Sequence, residues 1–401
     1  MEKAIVLILD GVGDLPDSVG LTPLAAARTP NMDALTKEGA TGLYSSIGRG
    51  LVPGSDTSHL NIFGYDYCEY YVGRGPLEAL GAGVELKEGD IALRTNFATV
   101  KGGKVVDRRA GRIPTAEGRS LEKYISKMKM GGVQVLFKST VEHRGVLIMR
   151  GRGLSPFISP TDTHELGNVV GVSKPLKKGA KDKKAADVLN KFTKLAMKKL
   201  EKAKENEGKK LPANAVIARG AGAYRKVPSI GERFGIKGAC VAGGALYKGV
   251  AAFVGMDVLN VKGATGTKDT NLLAKGNAAV KALGKNDYVF LHVKATDSFS
   301  HDGGFEGKKR MIERVDVELM PLLRECGGTV VITGDHSTPV RRKNHSGHST
   351  PLLINGPDVR PDMVGNFSEK ACMRGGLGHV QGTELMHMVL NYMDKGRMVG
   401  T

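Results

Sequence analysis

Short runs of consecutive apolar residues recur along this chain, separated by segments in which apolar residues return at helical spacing. The runs AIVLIL (4–9), ACVAGG (239–244), YVFLHV (288–293) and TVVIT (329–333) read as strands buried within a parallel sheet. Between them, Asp269–Leu283 and Glu306–Arg324 carry helical periodicity. Alternation of this kind predicts an α/β fold, a doubly wound and mostly parallel sheet.

The middle of the chain has a different pattern. From about Val84 to Glu142, more polar strands alternate with glycine turns, and TVKGGKVV is expected to form a hairpin with Gly102-Gly103 at its tip. A lysine-rich stretch, 174–210, follows. Within it Val188, Phe192, Leu195, Met197 and Leu200 recur at nearly helical spacing, which predicts an amphipathic surface helix with its lysines outward. Residues 85–230 are therefore expected to form a smaller α+β domain inserted into a larger one made of 1–84 and 231–401. GRGPLEALGAG would be the outgoing joint and YRKVPSIGERFG the return. No internal repeat is present.

Composition narrows the class. The 401 residues are 41% hydrophobic and 25% charged, enough for a sizeable core. Cys68, Cys240, Cys326 and Cys372 are far apart and form no CxxC pair, which suits a reducing compartment. The N-terminal apolar run stops at Asp10, too early for a signal peptide, and no stretch approaches the ~18 apolar residues of a membrane span. A cytoplasmic protein without a membrane partner is expected. Much of the formal charge of +18 lies in the lysine-rich stretch. That stretch reads as a solvated face rather than a nucleic-acid surface, because no base-stacking aromatic is interleaved. Nothing in the sequence reports an oligomeric state.

Candidate chemistry gathers at the strand ends, where open parallel sheets bind their ligands. The first strand ends at Asp10, followed by Gly11. YVFLHVKATDSFSH leads to Asp297 and then His301, a spacing that puts both on one face of a helical turn. TVVITG delivers Asp335 and His336, and either His345 or His348 is near enough in the chain to fold back. Mixed carboxylate and imidazole ligands suit divalent ions such as Mn²⁺ or Zn²⁺. There are too many for one tetrahedral centre, so two ions are expected, an arrangement suited to phosphate-ester chemistry. The candidate nucleophile is Ser55 in PGSDTSHL, at an expected helix start. The plainer alternative is that Ser55 or Asp56 is an ordinary N-cap.

Together these stretches resemble the archaeal-type 2,3-bisphosphoglycerate-independent phosphoglycerate mutases of the alkaline phosphatase superfamily. The matching segments are LILDGVGD, PGSDTSHLNIFGYD, GRGPLEALGAG, DRRAGRIPT, RGAG, GACVAGGALYKGVA, TDSFSHDGGFEGK and TGDHSTP…HSGHSTPLLI, spanning residue 5 to about 355. The resemblance implies an alkaline-phosphatase-like domain holding two divalent ions, Mn²⁺ with Co²⁺, Zn²⁺ or Mg²⁺ as alternatives, and an inserted substrate domain. It implies that Ser55 carries the phosphoryl group between the hydroxyls of phosphoglycerate. Asp10, Ser55, Asp335 and His336 would hold one ion; Asp297, His301 and His345 the other. His345 takes the ligand place in HSGHSTP, while His348 stands where the family has an aspartate. The same resemblance makes Asp107, Arg109, Arg112, Arg144, Arg219 and Lys248 the expected substrate-binding residues, arginine's fork being suited to carboxylate and phosphate. His59 is expected to be structural.

Overall fold

The computed structural model describes residues 3–398 and Gly400. It divides into two compact units, Met1–Tyr71 with Val227–Thr401, and Val72–Lys226.

The larger unit is built on an eight-stranded sheet. Its strands lie in the order Asp257–Val258, Gly238–Val241, Tyr288–Val293, Ala4–Leu9, Thr329–Thr333, Thr350–Asn355, Ala40–Ser45 and Gly378–Gln381. Neighbours run parallel except at Thr350–Asn355, which is antiparallel to the strand on each side. All four apolar runs expected as strands are in this sheet. ACVAGG leaves it after Val241, because Gly244 caps the helix Ala245–Phe253. The other four strands are short or carry polar residues and turn glycines, so their apolar signal is weak.

Register decides where the chemistry falls. Ala4 pairs with both Tyr288 and Thr329, Leu9 with Val293, and Ile8 with Thr333. The three central strands therefore end level, and Asp10, Lys294 and Gly334 leave the sheet at one edge. The strands are apolar on both faces because helices cover both. Ile5, Leu7, Val289 and Leu291, for example, pack with Leu272, Ile312 and Val315 in one buried cluster. The helix over Leu272–Leu283 starts where Asn271 Oδ1 accepts from the Ala274 amide. The expected helix 306–324 is in fact two, Phe305–Glu318 and Met320–Arg324. Pro321 has no amide hydrogen to continue the first helix.

The smaller unit is antiparallel throughout. Its strands run Lys104–Asp107, Ile91–Lys101, Arg144–Arg150, Val133–Ser139 and Lys127–Met130, with Ala215–Ala223 also paired to Ile91–Lys101. The hairpin turns on Gly102 and Gly103, with φ of 54° and 76°, a left-handed pair that glycine adopts without steric cost. Helices Thr115–Ile125 and Ala180–Leu200 bury Leu121, Ile125, Leu189 and Phe192 against one face of this sheet. A further helix, Arg74–Gly81, packs Ala79 on Ala92 and Ile148 of the same sheet. For that reason the unit begins at Val72 rather than at 85, and it ends at Lys226. In the lysine-rich helix Val188, Phe192 and Leu200 are buried as expected, but Leu195 lies off the stripe and is 43% exposed.

Candidate metal centre

Asp10 follows directly on the Ala4–Leu9 strand, and its amide donates to Val293 O at 3.0 Å, so the carboxylate starts where two strands end. It is not a cap for the next turn: no amide donates to its side chain, and Asp335 Oδ1 instead receives the Gly11 amide at 3.1 Å. Gly11 has φ +63°, and a Cβ there would meet Thr338 Oγ1 at 2.6 Å and Asp297 Oδ1 at 2.8 Å. Only glycine lets the backbone turn this close to a second carboxylate.

Asp297 and His301 lie on the short helix Ala295–His301, and the one-face geometry expected from their spacing is realised, with His301 Nε2 3.3 Å from Asp297 Oδ2. Asp335 and His336 follow the Thr329–Thr333 strand, and both are buried. His336 Nε2 lies 3.3 Å from Asp335 Oδ2 and 3.5 Å from Asp10 Oδ1. The His345 ring stacks on His336 at 3.6 Å, and its Nε2 is 3.7 Å from Asp297 Oδ1. Ser55 Oγ is 3.3 Å from His336 Nε2. The N-cap of the helix Ser55–Ile62 is Gly54, so Ser55 is the first helical residue and neither it nor Asp56 caps the helix.

The imidazoles are held by their other nitrogens. His345 Nδ1 lies 2.8 Å from Pro53 O and His301 Nδ1 2.9 Å from Lys343 O. A carbonyl can only accept, so each Nδ1 carries a proton and each Nε2 is the nitrogen turned to the carboxylates, free to present a lone pair to a metal when the ring is neutral. His348 engages Ser346 Oγ through Nδ1 and belongs to neither close group of potential ligands. Those groups are Asp10, Asp335 and His336, and Asp297, His336 and His345. His336 is thus common to both, and His301 adjoins the second group through Asp297 and through the His345 ring, 5.4 Å away.

Burial penalises charge here and neighbouring charges answer it. Burial and the Asp10 carboxylate push Asp335 upward, whereas Asp10, despite burial, is held well below the usual carboxylate range by Lys294, His292 and His336. Burial pulls His336, His59 and His292 down to about 4, keeping them neutral. Asp10 Oδ2 and Asp335 Oδ2 are both buried, and Asp335 Oδ2 accepts no hydrogen bond among the described residues. Buried carboxylates clustered with neutral imidazoles are the donor set of a divalent cation.

Several residues at this centre escaped the sequence reading. Lys294 Nζ lies 2.5 Å from Asp297 Oδ2 and 3.2 Å from Asp10 Oδ2. His292 Nε2 is 3.1 Å from Asp10 Oδ2, with Tyr247 stacked on its ring. Thr338 Oγ1 donates to Asp297 Oδ1 at 2.8 Å. A histidine inside the apolar run YVFLHV was the available signal for His292. His59, buried with Nδ1 2.6 Å from Ser55 O, anchors the serine's own backbone.

The expected substrate residues fall in both units. In the smaller unit, Asp107 spends its carboxylate on the Arg109 and Gly111 amides, shaping a loop in which Ala110, Gly111 and Arg112 are all left-handed. Arg109, Arg112 and Arg144 surround His143, whose pKa burial and then these charges lower to about 4. Arg219 pairs with Asp162, which also receives Arg108 through both Nε and Nη2 at 2.8 Å. Arg94, pushed down to about 10 by burial, is also repelled by Arg74, Arg219 and Arg144. Arg74, Arg94, Arg144 and Arg219 are thus close enough to repel one another, Glu78 pairs with both Arg74 at 3.2 Å and Arg94 at 3.1 Å, and Arg74 and Arg94 were not anticipated. Lys248, in the larger unit, is on the helix Ala245–Phe253.

A family profile described as the metalloenzyme superfamily matches residues 2–392. Over 406 residues the chain is 45% identical to 2,3-bisphosphoglycerate-independent phosphoglycerate mutase 1 of Methanocaldococcus jannaschii, with 99% of both chains covered. It is 46% identical over 407 residues to the 2,3-bisphosphoglycerate-independent phosphoglycerate mutase of Pyrobaculum aerophilum, with 98% of both covered. A solved structure of a Pyrococcus horikoshii protein matches with a TM-score of 0.87 at 37% identity, covering 100% of this chain and 99% of that one. The cofactor-independent phosphoglycerate mutase of Thermoplasma acidophilum matches at 0.73 and 33% identity, covering 98% and 99%.

Proposed function

The chain belongs to the 2,3-bisphosphoglycerate-independent phosphoglycerate mutases of the metalloenzyme superfamily, an isomerase family, and from that premise we propose that it interconverts 3- and 2-phosphoglycerate through a phosphoserine at Ser55. The observation that carries this reading is the buried contact between Ser55 Oγ and His336 Nε2, beside the buried carboxylates of Asp10 and Asp335. Two divalent ions, Mn²⁺ or alternatively Co²⁺, Zn²⁺ or Mg²⁺, would be held by Asp10, Asp335 and His336 and by Asp297, His301 and His345, and would neutralise charge on the phosphoryl group.

Ser55 Oγ attacks phosphorus in line with the ester oxygen. The Oγ–P bond forms, the P–O bond to the substrate's C3 oxygen breaks, and the serine proton ends on the released hydroxyl of glycerate. Glycerate then reorients, its C2 hydroxyl attacks the phosphoserine, and its proton returns to Ser55. As the first residue of a helix, Ser55 has amide hydrogens and the positive end of the helix dipole beside it, which favour the phosphoryl charge. Lys294 adds a fixed positive charge at Asp10 and Asp297, and Lys248 stands in the same unit for the substrate's anionic groups. We assign carboxylate and phosphate recognition to Arg109, Arg112, Arg144 and Arg219, with Asp107 shaping their loop. Such recognition is what would distinguish a mutase, which must retain glycerate and exclude water, from a phosphatase. Among the described residues no helix is long and apolar enough to cross a membrane. The phosphorylated substrate would place the enzyme in the cytoplasm, in glycolysis or gluconeogenesis.

The test is ³¹P NMR of the Mn²⁺-loaded protein with 3-phosphoglycerate and no bisphosphoglycerate. A 2-phosphoglycerate signal that disappears with EDTA and in Ser55→Ala supports the mutase. Inorganic phosphate alone would make the protein a phosphatase, and full activity in Ser55→Ala would remove the phosphoserine.

A further inference from the structure

The charge of the chain is confined to one of its two units. Residues 72–226 hold 33 of the 59 Lys and Arg and 15 of the 41 Asp and Glu, a balance of +18, so the larger unit is neutral. Recognition of one small anion needs only the arginine group already described, and the lysines lie elsewhere in the sequence.

Their clearest concentration is a groove of about 520 Å³ between the helices Thr115–Ile125 and Ala180–Leu200. Lys123 comes from the first helix; Lys198, Lys199 and Lys202 come from the end of the second and just beyond it. Tyr124 and the exposed Leu195 supply its apolar surface. None of these four ammonium groups is ion-paired among the described residues; of the acids around them, exposed Glu201 adjoins Lys202 in the chain and three others are engaged elsewhere. Glu122 pairs with Lys138 at 3.3 Å, Glu117 with Lys209 at 2.5 Å, and Glu205 accepts the Tyr124 hydroxyl at 3.0 Å. That last bond also pins the tyrosine ring, whose other contacts are with the unit's core.

We propose that this groove binds single-stranded RNA, with phosphates on Lys123, Lys198, Lys199 and Lys202 and a base against Tyr124 and Leu195. Unpaired lysines on both sides of a channel follow a polyanionic backbone, and an aromatic ring beside them accepts any base face. Sequence alone gave no interleaved aromatic, because Tyr124 is brought to the lysines only by packing of the two helices.

Four phosphate contacts to a single strand predict a slope of about −2.8 in log K against log salt concentration. The experiment is fluorescence anisotropy of the Mn²⁺-loaded full chain with a labelled RNA of about 12 nucleotides, from about 50 mM salt upward, since electrostatic binding is strongest at low salt. K198Q/K199Q/K202Q, three exposed neutral substitutions, should weaken binding at least about tenfold and bring the slope to about −0.7, one contact remaining. Tyr124→Ala should weaken binding at least about fivefold with the slope unchanged. Turnover of phosphoglycerate should be unaltered in both variants. Absence of binding by the wild-type chain overturns the proposal. So does an unchanged slope in the triple variant, or binding to phosphatidylserine vesicles that RNA does not compete away. Unchanged affinity in Tyr124→Ala removes the stacked base and leaves a simple anion channel, which also overturns the proposal as stated.

Discussion

Lys308 Nζ lies 2.8 Å from Asp14 Oδ2, and both side chains are almost completely out of solvent. The same ammonium donates to Gly11 O at 2.8 Å and Thr338 O at 3.2 Å, while Asp14 accepts from the Val340 amide at 3.1 Å. One buried pair thus joins the loop after the first strand to the loop after His336. Lys308→Met strands the Asp14 charge and should destabilise the fold by about 3–5 kcal/mol in denaturant unfolding. Lys308→Met with Asp14→Leu should recover most of that loss in stability while leaving the two loops, and hence Mn²⁺ affinity, impaired. Equal stability of the single and double variants would contradict this account.

Gly11 predicts a loss that backbone strain alone does not explain. Gly11→Ala forces a left-handed alanine, at about 1–2 kcal/mol, and also drives a methyl against Thr338 and Asp297. Gly20, with φ +82° and open space around it, is the control. Thermal unfolding of Gly20→Ala should register the backbone cost only. Gly11→Ala should unfold at lower temperature than Gly20→Ala and bind Mn²⁺ at least about tenfold more weakly, the scale on which disturbed metal surroundings act.

The two loop histidines should differ in metal binding. His345 reaches toward Asp297 with Nε2, while His348 is tied to Ser346. His345→Ala should lower Mn²⁺ affinity by about 10–100-fold or more in calorimetric titration. His348→Ala should leave it near the wild-type value, and the reverse pattern would exchange their roles.

Lys275, bonded to the backbone of His292, supplies a pH dependence of its own. Fully buried, its ammonium donates to Thr265 O and His292 O, and burial, with Lys248 adding, lowers its pKa to about 8. Between about pH 8 and the ordinary lysine value, the unfolded chain holds a proton there that the folded chain releases, so this group makes stability rise with pH. The rise should total about 3 kcal/mol at roughly 1.4 kcal/mol per tenfold in proton affinity. Measured against Lys275→Met, which removes the group, wild type should gain stability from pH 8 to 10 and show no difference in slope below pH 7.

Much of the centre was readable before folding because Asp10, Asp297 and Asp335 each close, or soon follow, an uninterrupted apolar run. A run that short, bounded by turn residues, reads as a buried strand, and in a parallel sheet the strand ends point the same way. What periodicity could not supply were partners from distant segments. Asp162 meets Arg108 and Arg219, which lie on opposite sides of it in the chain, and nothing local marks the three as one network. Leu195 had helical spacing yet ended outside the buried stripe, because the stripe is set by what the helix packs against.

The apolar runs, the helical periods, the turn glycines and the order of ligand residues belong to the sequence by itself, since each depends on neighbours a few residues away. The common level of the three central strand ends, the sharing of His336 by both ligand groups, Lys294 between two carboxylates and Tyr124 beside the lysine groove were decided only by the tertiary structure. Those relationships join residues far apart in the chain, and strand register and helix packing bring them within reach of one another.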